Sequence, residues 1–532
     1  MMSDQFVLKE LCRYEIGTFA DLMCRNAILY SDKDAFIEGT ERITYGHFND
    51  RVNRLIHALY SLGFAKGDVL GVLSWNCYEY FDVVGAAMKG GFIVSPYNPR
   101  LQAEELQYLI NYSEAKVLFV GREQVEMVGD LRKRCPKLMT FISFVGPHPA
   151  TIPHRDLLAG VSTEPDRSIK EDDPFAIFYT SGTTGVPRGA LYTHRRKMED
   201  ARNFAMGLTA EAGNTQVLCL PLFHVAAMSY SLGFLYAGGL TVIMPQHTFD
   251  PGATLQTIQD VKATDIHLVP THLVAILALP NVQQYDLISL KRMWYAASPM
   301  PVELLKRAME VFGPVFIQAY GQTESGPLVT YLSKEDHDVL DKPPQEQRVL
   351  ASIGQPCPGI HLRIVDKDNN DVKAGEIGEI IVESKSLMVQ YWRKPEETKE
   401  TIIDGWLHTG DLGYYDNKAH IYLVDRKKEM IITGGENVYP REIEEVLYGH
   451  PAVEELAVIG IDDPYWVESV HAIVVLKKDQ KVTEKELIHF CKQRLAHYKA
   501  PKSIEFVESL PKNPQGKINK RLLKETRARR PK

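Results

Sequence analysis

The residues best suited to chemistry stand in one run, Tyr179-Thr180-Ser181-Gly182-Thr183-Thr184-Gly185-Val186-Pro187-Arg188-Gly189. A predicted strand, Phe175–Tyr179, leads into small and flexible residues and then a cation. Glycines let backbone N–H groups turn inward, serine and threonine add hydroxyls, and a strand end fixes where the cradle sits. Such a run suits an anion, a phosphate above all. It is not a Walker A loop: five residues beyond Gly182 stands Pro187, five beyond Gly185 stands Ala190, and no Gly-Lys pair follows. Read alone, it is also compatible with a solvent-facing turn. No H-E-x-x-H, paired Cys/His set or G-x-S-x-G elbow occurs, so metalloprotease and α/β-hydrolase chemistry have no support.

The elements around that loop alternate. Asp68–Trp75, Phe92–Pro96, Lys116–Val120 and Thr140–Val145 read as strands, with helices predicted over Glu79–Lys89, Ala103–Ala115 and Gln124–Cys135. The rhythm resumes with strands Ala176–Thr180, Leu240–Met244, Asp265–Val269, Met293–Ala297 and Val315–Ala319 and a helix over Pro301–Phe312. This pattern predicts an α/β fold with two packed sheets. After Ser352 short alternating strands (His361–Val365, Gly378–Val382) suggest a small β-barrel. From about Asp425 a mobile α+β unit begins, with a helix at Pro440–Tyr448, strands at Val453–Gly460 and His471–Leu476, a helix at Thr483–Leu495 and a strand at Ser503–Val507. The expected organisation is an N-terminal domain over 1–424, barrel-like over about 352–424, a hinge at 425–428, and a C-terminal lid over 429–532.

Composition narrows the class. The 532 residues carry 61 Lys+Arg against 68 Asp+Glu, a net charge of −7, which gives no reason to hold nucleic acid through the overall field. Seven scattered cysteines (Cys12, Cys24, Cys77, Cys135, Cys219, Cys357, Cys491) without a C-x-x-C pair point to free thiols in a reducing, cytoplasmic setting. Met1–Glu15 lacks a secretory apolar core, and Arg529-Arg530-Pro531-Lys532 is neither a peroxisomal nor an endoplasmic-reticulum address. The uncharged stretch Val225–Met244 is read as a buried helix to about Tyr236, a Gly-Gly turn and a strand, with no transmembrane segment. Oligomeric state is not encoded in any motif, and a homodimer is left open.

The loop resembles the phosphate loop of the adenylate-forming superfamily of acyl-CoA synthetases, adenylation domains and luciferases. Further motifs follow in that family's order along essentially the whole chain. They are Leu220-Pro221-Leu222-Phe223-His224, Tyr320-Gly321-Gln322-Thr323-Glu324, Trp406-Leu407-His408-Thr409-Gly410-Asp411, Asp425-Arg426-Lys427-Lys428-Glu429, Thr433-Gly434-Gly435-Glu436-Asn437 and Pro514-Gln515-Gly516-Lys517. One departure is Arg188, where the family more often has lysine; a planar fork replaces a point charge.

The resemblance implies an ATP-dependent acid–thiol ligase, in which a carboxylate attacks the α-phosphate of ATP, pyrophosphate leaves, and the acyl-AMP passes to coenzyme A. It places Thr180, Ser181, Gly182, Thr183, Thr184, Gly185 and Arg188 on the phosphates, and Glu324 with Thr180 on Mg²⁺. Ala297, Ser298, Tyr320, Gly321, Gln322 and Thr323 would surround adenine, and Asp411 and Arg426 the ribose. Lys517 would reach from the lid to the transferring groups, and with Glu324 and His224 it makes up the implied catalytic set. Lys428 is the implied pivot, and Gly434, Gly435 and Glu436 the implied pantetheine channel. His224, Met228, His272, Ala296 and Gly321 would bound the acyl pocket, which is apolar enough to suggest a medium- or long-chain fatty acid or a cyclic or aryl acid. Taken without the family, Gly410-Asp411 is a turn, Tyr320 and His224 are packing residues, Lys517 is a solvated lysine and Gly434-Gly435 joins two strands. Rival readings are a stand-alone ligase that loads a carrier protein, a luciferase-like oxidase, and a non-catalytic scaffold on the same fold.

Overall fold

A computed structural model of the chain describes residues 16–166, 168–180, 187–207, 210–244, 247–298, 300–433, 436–463, 465–512 and 517–528. Strands Val69–Leu73 and Ile93–Tyr97 are buried at every position, as parallel strands covered on both faces must be. They lie at the middle of an eight-stranded sheet. On one side it continues through Val117–Val120, Thr140–Ser143 and Ile152–Pro153. On the other side come Pro174–Thr180, Arg188–Thr193 and the edge strand Gln390–Tyr391.

A second, nine-stranded sheet has six parallel strands in a row: Asp34–Glu38, Leu240–Ile243, Thr215–Leu218, Asp265–Leu268, Arg292–Tyr295 and Phe316–Gln322. Beyond Phe316–Gln322 come the antiparallel strand Gly326–Leu332 and the short edge strand Gln355–Pro356. Residues of both sheets and of helices His194–Gly207 and Val225–Ala237 meet in one continuous apolar core, Phe36, Val72, Phe178, Phe204, Tyr230 and Trp294 among them. The uncharged stretch is thus a core helix. It ends at Gly238, whose φ of +74° a side chain would resist. No helix among the described residues is long and apolar enough to cross a membrane.

The segment expected as a small barrel is a five-stranded antiparallel sheet. Ile360–Val365, Gly378–Ser384, Trp406–Tyr415 and Ile402–Ile403 lie in order, and Ile421–Arg426 is added to Trp406–Tyr415. A fourth sheet joins Glu436–Val438, Ile431–Thr433, Val467–Leu476, Val453–Asp463 and Ser503–Phe506. It packs with helices Pro440–Tyr448 and Glu484–Lys492 around its own core, Ile431, Leu447, Val458 and Val474 among it.

Two local expectations change. Gln124–Cys135 is not one helix but a 3-10 turn, Val125–Met127, followed by Val128–Arg134; β-branched Val125 and Val128 with Gly129 weaken a continuous helix. Phe175–Tyr179 and Val315–Ala319 both belong to antiparallel hairpins, because Arg188–Thr193 and Gly326–Leu332 fold back on them.

Candidate active site

The phosphate-loop candidate is flanked by the antiparallel strands Pro174–Thr180 and Arg188–Thr193. Thr180 and Arg188 are their last register pair before it; Ser181, Gly182, Thr183, Thr184 and Gly185 lie outside the described residues. At its base two polar atoms, Thr180 Oγ1 and Arg188 Nε, are buried with no hydrogen-bond partner among the described residues. Unpaired groups of this kind are uncommon in finished cores and frequent where a ligand completes the site. The Arg188 guanidinium lies 4.4 Å from the centre of the Tyr391 ring and 3.6 Å from Glu397 Oε2.

Glu324 stands in the turn between strands Phe316–Gln322 and Gly326–Leu332. Its Oε1 accepts a hydrogen bond of 2.8 Å from the Tyr391 hydroxyl, and its carbonyl accepts one of 2.9 Å from Met388 N. The Tyr192 hydroxyl grips the same turn from the other side, donating to Thr323 O and accepting from Gly326 N at 3.1 Å. Beneath it the buried Lys197 ammonium lies 4.8 Å from the centre of the Tyr192 ring and pairs with Asp200 at 2.5 Å. Burial raises the Tyr391 phenol further above its ordinary range, and the adjacent Glu324 charge adds to this, so it stays a donor. Glu324 Oε2 carries no hydrogen bond or ion pair within the described residues. A carboxylate open on one oxygen, with the unpartnered Thr180 hydroxyl, fits a hard divalent cation that takes its other oxygens from substrate and water. Among the described residues no group of three or more His, Cys, Asp or Glu side chains is arranged to hold a metal ion by itself.

Asp411 is the centre of a second cluster. It is buried, and its Oδ2 accepts from Tyr320 Oη at 2.8 Å and Gln322 Nε2 at 2.6 Å. Its Oδ1 lies 3.0 Å from Arg426 Nε. Asp411 and Arg426 face each other across paired strands, so the motif spacing is a register in an antiparallel sheet. Gln322 also donates to Thr409 O at 3.0 Å. Between Tyr320 and Gln322 the strand bulges at Gly321, where an added Cβ would lie 2.5 Å from the Pro327 carbonyl carbon and closer still to Gly326 O. Ala296, Ala297 and Ser298 follow strand Arg292–Tyr295 at its carboxyl end, where open α/β sheets receive ligands. Ala297 has φ +73°, a left-handed conformation that costs an alanine energy and exposes its backbone at the rim.

His224 caps helix Val225–Ala237, and its backbone N–H bonds to Pro221 O at 3.1 Å. Met228 is one helical turn further on and fully buried, and His272 is stacked on Phe249 with ring centroids 3.8 Å apart. Burial, then the charges of Lys517 and Arg100, push the His224 imidazole down to about 3, so it is neutral at working pH.

Lys517 is bracketed by the bridge Lys512↔Ile518 of the C-terminal unit. Solvent reaches its side chain, yet protein crowds it on enough sides that desolvation, followed by the Arg426 guanidinium, holds its ammonium down to about 8 against the pull of Asp411. The charges of Arg426 and Asp411 thus act on the lysine, and the lysine in turn acts on His224. Lys428 is exposed in the turn between Ile421–Arg426 and Ile431–Thr433, which belong to different sheets. Gly434 and Gly435 lie outside the described residues; they separate the register pair Thr433↔Glu436, whose two strands form a hairpin.

Tyr391, Tyr192 and the Lys197–Asp200 pair were not singled out by sequence. No motif spacing marks them, since each acts on Glu324 or its turn from a remote segment.

Comparison with known proteins adds an independent line. A family model described as AMP-binding enzyme matches residues 25–392, and one described as AMP-binding enzyme C-terminal domain matches 442–517. A feruloyl-CoA synthase of Amycolatopsis sp. is 35% identical over 93% of this chain and 96% of the relative. A medium/long-chain-fatty-acid–CoA ligase of Mycobacterium tuberculosis is 33% identical over 98% of this chain and 95% of its own. A solved anthranilate CoA ligase in complex with anthranoyl-AMP superposes with a TM-score of 0.87, at 27% identity, over 96% of this chain and 97% of that one.

Proposed function

The chain belongs to the AMP-binding enzyme family, and from that premise we propose that it activates a hydrophobic carboxylic acid as an acyl-AMP and passes the acyl group to coenzyme A. The ATP-dependent acyl-CoA ligase reaction follows from the family and its relatives; the acid and the residue roles are this proposal's own content. A carboxylate oxygen of the acid attacks the α-phosphorus of ATP and pyrophosphate departs. The thiolate of coenzyme A then attacks the acyl carbon and AMP departs. Neither step needs a covalent protein intermediate, so catalysis rests on positioning and charge.

The observation that carries this reading is the position of Lys517. A lysine from the C-terminal unit feels the Asp411–Arg426 pair and acts on His224, which supports a role for it between a nucleotide on the first and an acid at the second. Its ammonium would stabilise the charge that builds on the α-phosphate and the attacking carboxylate. Asp411, an acceptor, would take the ribose hydroxyls, with Arg426 holding its orientation. Tyr320 and the Ala296–Ser298 backbone would flank adenine. Thr180, Arg188 and the glycine-rich run 181–185 would hold the outer phosphates. Glu324 with Thr180 would hold Mg²⁺, which neutralises phosphate charge when bound.

The acceptor thiol needs the place that Lys517 fills, so the lid must turn between steps. We assign the pivot to residues 425–428, Lys428 at its exposed turn, dividing a domain 1–424 from a lid 429–532. Gly434, Gly435 and Glu436 on the lid hairpin would then line the thiol's approach.

The test is incubation of the protein with ATP, Mg²⁺ and a panel of acids, with and without coenzyme A. Acid-dependent pyrophosphate in both arms and thioester only with coenzyme A is expected. AMP and pyrophosphate without thioester would point to a carrier protein as acceptor, and no acid-dependent pyrophosphate would reduce the chain to a scaffold.

A further inference from the structure

Lys520 lies three residues beyond Lys517 and opens helix Lys520–Ala528. The stretch between the two lysines is fastened to the C-terminal unit. Ile518 bridges to Lys512, and Asn519 N donates to Pro511 O at 2.8 Å. Ile518 and Leu523 pack into a small apolar cluster with Ala457, Ile459 and Ile473 of the lid sheet. Holding Lys520 therefore holds Lys517.

Three carboxylates from three segments act on the Lys520 ammonium. Its Nζ lies 2.8 Å from Glu444 Oε1 and 3.6 Å from Glu429 Oε2, with the lysine side chain only 19% exposed. Glu444 is itself fixed, since its Oε1 also accepts from Val458 N at 2.8 Å. Asp425 is the third, and its charge and that of Lys520 act on each other. Burial works against the ammonium, but Glu444, Glu429 and Asp425 outweigh it and hold it above the ordinary lysine range. Lys520 thus stays charged where Lys517, held down to about 8, begins to lose its proton.

The three acids do not move together. Glu444 belongs to the lid helix Pro440–Tyr448, and Glu429 follows the pivot. Asp425 precedes it, in strand Ile421–Arg426 and in register with Leu412 of the body. Its Oδ2 also reaches the lid, accepting from Arg441 N at 3.0 Å in the first turn of that helix. A rotation about 425–428 carries Glu444 and Glu429 along with Lys520, but it parts Asp425 from both Lys520 and Arg441 N. Those two attractions exist only in the orientation in which Lys517 feels Asp411 and Arg426.

We propose that Lys520 is a positioning residue: with Asp425 it forms a latch across the pivot that favours the lid orientation of acyl-AMP formation and opens on the turn toward thiol transfer. The inference rests on the lid movement proposed above and names the contact that sets its balance.

The experiment follows the two half-reactions separately in the full chain for wild type, Lys520→Met, Lys520→Arg, Asp425→Asn and the Lys520→Met/Asp425→Asn double variant. Methionine keeps the reach of Lys520 without its charge, and asparagine keeps an acceptor for Arg441 N without the charge of Asp425. Lys520→Met should lower acid-dependent pyrophosphate release about tenfold, the scale of one contact to a charged group. Thioester formation from supplied acyl-AMP and coenzyme A should not fall. Lys520→Arg, still a cation able to meet carboxylates, should keep release within about twofold of wild type. Asp425→Asn should also lower release and spare thioester formation, and the double variant should release no more slowly than Lys520→Met alone, because losses of two partners in one contact do not add. Equal loss of both half-reactions in Lys520→Met would make the lysine merely structural. Unchanged release, or additive losses in the double variant, would dissolve the latch. Each of these overturns the inference and leaves acyl activation standing. No acid-dependent release by the wild-type chain would remove the parent reading and this one together.

Discussion

Glu324 is gripped on one oxygen and open on the other. The Tyr391 hydroxyl fixes Oε1 at 2.8 Å while its ring carries Arg188, so a single residue links the groups proposed for the cation and the outer phosphates. A hydrogen bond to a charged group is worth about 1.5–3 kcal/mol. Tyr391→Phe removes only the hydroxyl and should raise the Mg²⁺ concentration for half-maximal pyrophosphate release by about tenfold; an unchanged Mg²⁺ titration would deny Tyr391 that role. Lys517 gives a pH prediction. Its ammonium is the active form and is held down to about 8. Pyrophosphate release should therefore fall as pH rises through about 8, whereas an unperturbed lysine would keep its charge to about 10.4. Release that stays level to pH 10 would contradict this. Glu324, Asp411, Arg426 and Lys517 were all readable as motifs, because the nucleotide chemistry proposed for them would demand those residue types at those places. Tyr391 was not: it lies 67 residues from Glu324 in sequence, in an edge strand of two residues with no local pattern to mark it.

At the scale of elements, two hairpins place the charged groups, and both replace what alternation alone suggested. Buried apolar runs identify central strands well, as at Val69–Leu73 and Val117–Val120. Periodicity does not say that Gly326–Leu332 turns back on Phe316–Gln322, since direction is set by the turn and by pairing. The turn depends on close backbone contact at Gly321. A methyl there must push the Pro327 backbone away, and overpacking of this kind costs about 1–3 kcal/mol. Gly321→Ala should thus displace Gln322 from Asp411, lowering kcat/KM for ATP about tenfold or more together with the melting temperature. Wild-type kinetics in that variant would show that the hairpin tolerates what its geometry forbids. The linker hides a similar feature. Asp425 Oδ2 accepts from Arg441 N at 3.0 Å, satisfying an N–H of the first turn of helix Pro440–Tyr448 that its own N-cap residue Tyr439 does not. Sequence marked Asp425 as part of the hinge motif, but its partner is sixteen residues on and is met only when the linker folds.

The whole molecule is a large α/β body carrying a separate small sheet and core at its C-terminal end. That division was readable from the change in texture along the chain, and the family-model matches fall on either side of it. What sequence could not give was the relation between the parts, because among the described residues the C-terminal unit has apolar cores of its own, separate from those of the body. Lys517 is the residue on which that relation turns. The most direct measurement removes it and follows the two half-reactions separately in Lys517→Ala. Acid-dependent pyrophosphate release should drop by about 100-fold or more, the scale seen when a preorganised charge-stabilising group is lost. Thioester formation from supplied acyl-AMP and coenzyme A should stay within about threefold of wild type, well inside the factor of ten that 1.36 kcal/mol of barrier represents. Equal loss of both half-reactions, or of neither, would contradict a lid lysine that serves the first step and leaves before the second.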